Sequence, residues 1–236
     1  MKALLLAAGL GTRLRPYTDK KPKCLMEVRG RPLLDIWLQN LEESGIEETL
    51  INTGYLAEQV NEYLNNSKYS KNTKVVHEDE LLGTAGTLQK NIDFFLEQDV
   101  MLVHADNYCE ENLSNLIAAH LTRPKKCLLT MLVFQTDQPS ECGIVTIDEN
   151  KIVTSFHEKK DDPPGNLANG AVYILSSEFL KIIKKKYKYK KDFSIEILPN
   201  FMGKIFTFET KMFFVDIGTP QRYQKVNQLD ISKKLD

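Results

Sequence analysis

Short apolar runs alternate with amphipathic segments along the first half of the chain. Residues 3–7 are all apolar and are followed by glycines, a pattern typical of a strand buried on both faces of a parallel sheet. Similar runs follow at 49–52, 74–77 and 100–104. Apolar residues recur at helical spacing in the segments between these runs, at about 32–44, 56–65 and 85–96. Strand and helix in alternation predict right-handed crossovers and a parallel sheet covered by helices on both faces.

The pattern changes beyond residue 126, where short strand-like runs follow one another with turns between them. These runs lie at 127–134, 142–147, 151–157 and 168–175, and Asp-Glu-Asn at 148–150 is typical of a hairpin turn. Helices are predicted again at about 177–186, 192–198 and 220–228. We therefore predict a single α/β domain over residues 1–236, with a Rossmann-like three-layer α/β/α architecture and a mixed, mainly parallel central sheet.

Composition places the chain among ordinary globular proteins and argues against nucleic-acid and membrane partners. Of 236 residues, 42% are hydrophobic and 27% are charged, which is close to the average for soluble domains. A net charge of −1 excludes a general basic surface for nucleic acid, so any anion must be held locally. No apolar run is long enough to span a membrane, and no signal-peptide pattern follows residues 2–7. We expect a cytoplasmic protein without nucleic-acid or membrane partners, and a homo-oligomer remains one alternative for its assembly.

Neither the four cysteines nor the lysine-rich segment indicates a catalytic or binding site. The four cysteines lack the spacing of a zinc site, so we expect reduced and buried thiols at Cys24, Cys109, Cys127 and Cys142. Lysines alternate with tyrosines at 184–191, and we interpret this segment as an exposed helix end and loop.

A loop rich in glycine and arginine follows the first strand. Small residues and the glycines Gly9 and Gly11 let backbone N–H groups approach an anion where open α/β sheets bind ligands. Leu14 stands where a dinucleotide fingerprint needs a small residue, and the Gly-Lys-Ser/Thr of a P-loop is absent. A guanidinium beside the loop, from Arg13, suits the outer phosphates of a triphosphate and a departing pyrophosphate. The loop therefore predicts phosphate binding.

The same loop carries a family resemblance. Gly-Leu-Gly-Thr-Arg-Leu-Arg-Pro at 9–16, Pro-Lys-Cys-Leu at 22–25 and Gly-Arg-Pro-Leu-Leu at 30–34 resemble the signature of the sugar-1-phosphate nucleotidyltransferases, which include the GDP-mannose and dTDP-glucose pyrophosphorylases. Cys24 replaces a common second proline, which we expect to matter little. The resemblance implies the nucleotide-diphospho-sugar transferase fold, with a nucleotide-binding part at about 1–125 and a sugar-phosphate-binding part at about 126–236. It also implies triphosphate contacts from the loop and the following lysine, at Ala7, Ala8, Gly9, Gly11, Thr12, Arg13 and Lys23.

A second glycine segment is similar to the base-binding loop of that family. By itself, Leu-Gly-Thr-Ala-Gly at 82–86 is explained equally well as a helix start. The sequence is more similar to the GDP-mannose branch than to the thymidylyl or uridylyl branches. The resemblance therefore implies guanine as the base, bound by Gly83, Thr84 and Ala85.

Two aspartates follow apolar strands more than a hundred residues apart. Asp106 and Asp216 would lie at the carboxyl edge of the sheet, where a hard cation is held, although each also suits a helix cap. Both match the metal pair of the family. The resemblance therefore implies Mg²⁺ as cofactor, with Asp106 also facing the nucleotide.

The second half of the chain contains the segments that resemble the sugar-binding residues. They are the glycine strand at 141–145, the Glu-Lys pair at 158–159 and an asparagine strand at 168–173. Lys160 replaces the proline that usually follows Glu-Lys, which leaves the loop shape and the choice of sugar open. His104 and His157 lack partners at metal-ligand spacing and are predicted to be structural. Hydroxyl and phosphate recognition is therefore assigned to Gly143, Glu158, Lys159 and Asn169.

The resemblance implies nucleotidyl transfer by in-line displacement. A nucleoside monophosphate from an NTP, with GTP favoured, would pass to a mannose-, heptose- or hexosamine-type sugar 1-phosphate, and Arg13, Lys23 and Lys159 would be catalytic. Alternatives are an enzyme using UTP, dTTP or CTP, and a cytidylyltransferase acting on an alcohol phosphate such as phosphocholine. An inactive regulatory subunit and a dinucleotide-binding oxidoreductase fit the residues less well.

Overall fold

A computed structural model describes residues 1–228. The strands are β1 (Lys2–Leu6), β2 (Glu27–Val28), β3 (Arg31–Pro32), β4 (Glu48–Thr53), β5 (Thr73–His77), β6 (Val100–His104), β7 (Asn107–Cys109), β8 (Leu129–Gln135), β9 (Gly143–Ile147), β10 (Val153–Glu158), β11 (Leu167–Leu175), β12 (Ile205–Glu209) and β13 (Phe214–Asp216). The α-helices are α1 (Leu33–Glu43), α2 (Ala57–Asn65), α3 (Gly83–Lys90), α4 (Ile92–Phe95), α5 (Leu113–Leu121), α6 (Ser177–Lys186) and α7 (Pro220–Gln228). Short 3₁₀ turns lie at Thr12–Leu14, Tyr17–Asp19, Lys23–Leu25, Ser70–Asn72, Pro139–Glu141 and Leu198–Phe201, and a π turn lies at Phe193–Ile197.

The first half of the chain forms the parallel side of a nine-stranded sheet, in the order β5-β4-β1-β6. Leu4 of β1 lies between Leu50 of β4 and Leu102 of β6. Leu4 and its neighbour Leu5 are fully buried on opposite faces of the sheet. This two-sided burial explains the continuous apolar run and confirms the predicted parallel sheet.

The second half adds antiparallel strands to the same sheet. β11 pairs with β8 along one side, while along the other it pairs first with β9 and then with β6. The β8 register shifts between Asn169 and Tyr173, where Ala171 has a φ of +53°. β9 and β10 form the predicted hairpin, in which the carboxylate of Asp148 accepts N–H bonds from Asn150 and Ile152. The sheet is therefore mixed, as predicted.

Helices cover both faces and give the three-layer architecture. On one face, α1 buries Trp37 and α5 buries Leu116 against Ala3 and Leu5. On the other, α3, α4 and α6 bury Leu88, Phe95 and Phe179 against β1 and β6. Within the described part of the chain, no helix is long and apolar enough to cross a membrane.

Several local predictions differ from the structure. The helix expected at 85–96 is divided at Asn91 into α3 and α4, and the one expected at 192–198 is a π turn followed by a 3₁₀ turn. α5 and β12 were not predicted, because each is short and lies outside the clearest apolar runs. All four cysteines are unpaired, and three are buried while Cys142 is half-buried. The lysine segment 184–191 is the exposed end of α6 and its following loop, as predicted.

Candidate functional site

A cavity of about 350 Å³ opens at the carboxyl ends of β1, β4 and β6. Parallel α/β sheets bind ligands at this edge, where strand ends and helix starts meet. Ten of the predicted nucleotide residues line it; they are Ala7, Ala8, Gly9, Gly11, Thr12, Arg13, Lys23, Gly83, Thr84 and Asp106.

The glycine-arginine loop is held in shape by contacts behind it. Gly11 has a φ of +64°, and a Cβ there would lie 3.0 Å from the methyl carbon of Thr18. The Thr18 hydroxyl donates to the Gly11 carbonyl at 2.7 Å, and the Ala7 N–H donates to the Asn52 side chain at 2.7 Å. Glycine is required at position 11 by both conformation and space. The fixed loop leaves the Arg13 guanidinium exposed at the cavity.

Lys23 lies at the centre of the charged part of the site. Its ammonium donates to Asp106 Oδ2 at 2.8 Å and to Asp216 Oδ1 at 3.0 Å. Burial acts to lower the pKa of Lys23, but the two carboxylates outweigh burial and raise it. Lys23 is therefore a charged, buried group held by both aspartates.

A small separate sheet brings the two aspartates together. Antiparallel pairing of β7 and β13 places Asp216 opposite Asn107, the residue that follows Asp106. Burial acts to raise the pKa of the Asp106 carboxyl, yet the Lys23 ammonium outweighs this and lowers the pKa to about 2. Asp106 is therefore ionised at neutral pH.

The aspartate pair fits a hard cation that is shared with phosphate. Residues 1–228 contain no group of three or more Asp, Glu, His or Cys side chains placed to hold a metal ion. Asp106 and Asp216 can nevertheless contact one cation together, because one ammonium already reaches both. Mg²⁺ characteristically binds through one or two carboxylates, with substrate phosphates and water completing its shell. The donor set therefore suits Mg²⁺ bound with a nucleotide.

Two more groups near Asp216 were missed by sequence reasoning. Arg222 on α7 lies 3.7 Å from Asp216 Oδ2, at the same distance as Arg13, and also contacts Glu141 and Gln138. Gly218 lines the cavity, and a Cβ there would lie 2.8 Å from the Asp216 carboxylate and 3.1 Å from Arg13. Arg222 lacked a motif, whereas the Asp-Ile-Gly-Thr-Pro segment could have indicated Gly218.

The wall of the cavity contains a buried polar network that was also missed. Glu78 accepts hydrogen bonds from Asn52 at 3.1 Å, from the Thr87 hydroxyl at 2.6 Å and from the Leu82 N–H at 3.2 Å. Asn52, Glu78 and Thr87 all line the cavity although each is buried. Asn52 ends an apolar run and Glu78 follows one, a signal that could have indicated both.

The predicted base loop is fixed against a distant segment. Gly83 has a φ of +77°, and a Cβ there would lie 2.5 Å from the Lys191 carbonyl. Ala85 is buried and donates its N–H to the same carbonyl at 2.9 Å. Thr84 accepts from the Phe193 N–H at 2.8 Å. Gly83 and Thr84 therefore face the cavity, whereas Ala85 supports the loop from behind.

The two histidines that were predicted to be structural differ in position. His104 lines the cavity, and its Nε2 is buried without a hydrogen-bond partner among the described residues. Burial lowers the pKa of His104. His157 instead contacts Ser155 through Nε2 at 2.8 Å, within strand β10.

The predicted sugar-phosphate residues lie outside the lining of the nucleotide cavity. Gly143, Glu158 and Asn169 are on β9, β10 and β11, and Lys159 directly follows β10. Glu158 and Gly143 are paired across β9 and β10, and a Cβ at Gly143 would lie 2.7 Å from Glu158 Oε2. Burial raises the pKa of Glu158 despite the Lys159 ammonium at 3.7 Å. Asn169 uses its amide within β11, donating to the Tyr173 hydroxyl at 2.7 Å and accepting from the Ala171 N–H at 3.0 Å.

The structure thus brings the glycine-arginine loop, the aspartate pair and a bridging lysine together at one edge of a mixed α/β sheet. The chain belongs to the nucleotidyl transferase family, whose model matches residues 2–233.

The chain is similar over most of its length to several named proteins and solved structures. The chain is 27% identical to the D-glycero-alpha-D-manno-heptose 1-phosphate guanylyltransferase of Aneurinibacillus thermoaerophilus, over 97% of both proteins. It is 29% identical to the mannose-1-phosphate guanylyltransferase catalytic subunit beta of Drosophila melanogaster, over 94% of this chain and 60% of that protein. The chain thus spans about six-tenths of the length of that mannose-1-phosphate relative. The structure superposes on HddC from Yersinia pseudotuberculosis complexed with GMP-PN, with a TM-score of 0.79, 28% identity, and coverage of 96% and 97% of the two chains.

Proposed function

We propose that the protein transfers GMP from GTP to a mannose- or heptose-type sugar 1-phosphate and releases pyrophosphate. The observation that carries the proposal is the meeting of Arg13, Lys23 and the aspartate pair at one edge of the cavity. Cations beside a glycine loop suit a triphosphate, and paired carboxylates suit its metal ion. The relatives named above act on sugar 1-phosphates and guanine nucleotides, which supports the same substrates here.

The reaction needs positioned charge more than proton transfer. An oxygen of the sugar 1-phosphate attacks the α-phosphorus of GTP, the bond between the α-phosphorus and its bridging oxygen breaks, and pyrophosphate leaves with that electron pair. A phosphomonoester is largely ionised near neutral pH, so the nucleophile requires no strong base. Arg13 would neutralise charge on the departing pyrophosphate, and Lys23 would contact the α-phosphate. Lys159 would draw the acceptor phosphate toward the same centre.

Mg²⁺ would supply charge neutralisation of the triphosphate at Asp106 and Asp216. Their oxygens lie within reach of one cation, and Asp106 is ionised at neutral pH. The protein would hold the ion with these two carboxylates beside a fixed loop, and the rest of its shell would be left to the substrate and water.

We expect Glu78 to favour guanine over other bases. Glu78 is buried in the cavity wall, where its Oε1 accepts from Asn52 and Thr87 and its Oε2 accepts from the Leu82 N–H. One acceptor site of Oε2 is left, and guanine can fill it with N1–H or with its N2 amino group. Uracil and thymine present one donor flanked by two carbonyl oxygens, and a carboxylate would repel those oxygens. This remaining acceptor supports guanine as the base.

The residues predicted to bind the sugar 1-phosphate do not select one particular sugar. Glu158 is half-buried with a raised pKa, so it suits hydrogen bonding to sugar hydroxyls. The side-chain amide of Asn169 already hydrogen-bonds to the Tyr173 hydroxyl and to the Ala171 N–H. Asn169 would therefore stabilise the irregular part of β11 as well as contact the sugar.

A substrate matrix tests the proposal. GTP, UTP, dTTP, CTP and ATP are each combined with mannose, heptose, glucose and N-acetylglucosamine 1-phosphates and with phosphocholine, and pyrophosphate release is measured. We expect the highest kcat/KM for GTP with mannose or heptose 1-phosphate, by roughly tenfold or more over other bases. Greatest turnover with CTP and phosphocholine, or with dTTP and glucose 1-phosphate, would overturn it. Absence of pyrophosphate from every pair would indicate a binding protein.

A further inference from the structure

The two carboxylates of the site are already satisfied by the protein's own cations. Lys23 donates to Asp106 at 2.8 Å and to Asp216 at 3.0 Å, and its side chain is only 10% exposed. The guanidinium groups of Arg13 and Arg222 each lie 3.7 Å from the other oxygen of Asp216. Three cations therefore surround the two aspartates. Arg222 also pairs with Glu141, so the three cations and three carboxylates of the cluster carry no net charge in the absence of nucleotide.

Such a cluster disfavours a free divalent cation for two reasons. An Mg²⁺ or Mn²⁺ ion must contact the oxygens that the Lys23 ammonium now contacts, so both cannot occupy the position. The ion also meets three cations close to the two carboxylates, and these oppose its approach at short range. The metal position is thus closed by a side chain, and opening it requires a new partner for that side chain.

A triphosphate provides that partner. Its phosphates carry several negative charges, attract the ammonium and make the cluster negative overall. Lys23 lies in the cavity wall beside the glycine loop, so phosphates bound at the loop lie within the same cavity as its side chain. Movement of Lys23 from carboxylate to phosphate would expose both aspartates as the metal arrives with the nucleotide.

We infer that Lys23 is a place-holding cation that keeps the aspartate pair closed to free divalent metal until a nucleoside triphosphate binds. This rests on the proposed function, and it adds a binding order to it. Metal and nucleotide then bind with positive coupling, since each removes an obstacle to the other.

Manganese binding to the whole chain tests the inference without any measurement of turnover. Free Mn²⁺ is followed by electron paramagnetic resonance in titrations of the wild-type protein, first alone and then with a non-hydrolysable GTP analogue. We expect wild-type protein to bind Mn²⁺ at least about tenfold more weakly alone than with the analogue, after correction for Mn²⁺ bound by the analogue itself.

Variants separate the roles of the lysine and the aspartates. Lys23→Met removes the competing ammonium, so we expect it to bind Mn²⁺ alone roughly tenfold more tightly than wild type. Lys21→Met is the matched control, since Lys21 is exposed and pairs with Glu27 at 2.9 Å instead. Equal affinity of wild-type protein for Mn²⁺ with and without the analogue would overturn the place-holding role. That comparison stands even if Lys23→Met fails to fold.

The same titrations distinguish failure of this inference from failure of the proposed function. Strong Mn²⁺ binding without nucleotide that Asp106→Asn abolishes would preserve the metal site and overturn only the place-holding role. Analogue-dependent Mn²⁺ binding that Asp106→Asn leaves unchanged would remove the aspartate from the metal site and overturn the place-holding role, whereas absence of analogue binding to the wild-type protein would count against the proposed function itself.

Discussion

Asp216 lies opposite Asn107 in the antiparallel pairing of β13 with β7, and this register brings its carboxylate beside that of Asp106. The ammonium of Lys23 contacts both carboxylates. The two-stranded sheet is therefore the element that assembles the predicted metal position. Its strands are three residues long, so the position depends on few backbone contacts.

Asp106→Asn should lower turnover with Mg²⁺ by roughly 10²-fold or more, because a neutral amide replaces a charged metal ligand. The protein should remain folded, since Asp216 still accepts a hydrogen bond from Lys23. Pyrophosphate release and thermal unfolding are measured side by side. Asp93→Asn, at an exposed carboxylate that pairs with Lys184, serves as the control. Undiminished turnover would remove Asp106 from the metal site.

Arg13→Ala should reduce kcat by roughly 10²-fold or more, the scale of losing one donor that stabilises charge on a leaving group. Arg15→Ala is a close control, because the two side chains are similarly exposed, at 59% and 55%. Arg15 pairs with Asp19 at 3.2 Å and does not line the cavity. Steady-state kinetics with GTP should separate the two variants. Equal effects would argue against a role for Arg13 in catalysis.

Glu78→Gln should weaken the preference for GTP. An amide offers one acceptor and one donor group in place of two acceptors. The variant would therefore lose either the acceptor for Asn52 and Thr87 or the acceptor that is shared by the Leu82 N–H and the base. We expect kcat/KM for GTP to fall by about tenfold or more, while the value for UTP or dTTP falls less or rises. Glu80→Gln, at an exposed glutamate of the same segment, is the control. An unchanged ratio of GTP to UTP would contradict base recognition by Glu78.

Gly218→Ala should impair catalysis more than folding. The added Cβ would meet the Asp216 carboxylate at 2.8 Å and the Arg13 guanidinium at 3.1 Å, so both groups must shift. The φ of Gly218 lies outside the left-handed region, so alanine adds little backbone strain. We expect a fall in kcat of roughly tenfold or more with a near-normal unfolding temperature. Full activity would show that neither group needs its observed position.

Acid should destabilise the protein through a buried histidine far from the cavity. His120 is fully buried, and its ring contacts Thr130 at 2.8 Å and Asp99 at 3.1 Å. Burial lowers the pKa of His120, and the hydrogen bond from His120 lowers the pKa of Asp99. Below about pH 6.5 the unfolded chain therefore binds a proton at His120 that the folded protein does not.

The free energy of unfolding should fall as pH drops from 7.5 to 5.5, by up to about 1.4 kcal/mol per pH unit for this one proton. Urea denaturation at several pH values measures it. His120→Gln keeps a donor toward Asp99 but cannot titrate, so its stability should depend less steeply on pH. The variant should also be less stable at pH 7.5, because it replaces a fully buried ring that contacts Thr130. An identical slope in the variant would contradict the assignment. The Asp99 contribution is lost only at lower pH, below about 3.9.

Local patterns in the sequence predicted much of the fold. Residues 2–6 form a strand that is buried on both faces, and Asp148 begins the turn of a hairpin. Both features were predicted because an apolar run and a turn residue can be recognised from adjacent residues alone. The division of α3 from α4 at Asn91 was missed. Asn91 ends α3 with its backbone N–H and its side-chain amide both donating to the Thr87 carbonyl, a contact that apolar periodicity does not reveal. Strand β12 was missed because its pairing with β8 is a contact distant in sequence.

The candidate site likewise combines features that the sequence predicts with features that only the tertiary structure shows. Sequence alone determined the glycine-arginine loop, since chain conformation and a nearby guanidinium are local properties of residues 9–16. Tertiary structure alone decided that Lys23 contacts Asp216, 193 residues away. It also decided that Arg222 reaches Asp216, and that Glu78 is buried beside Asn52. These contacts follow from strand order and register, which hydrophobic periodicity does not encode, because any register that buries the same face satisfies the pattern.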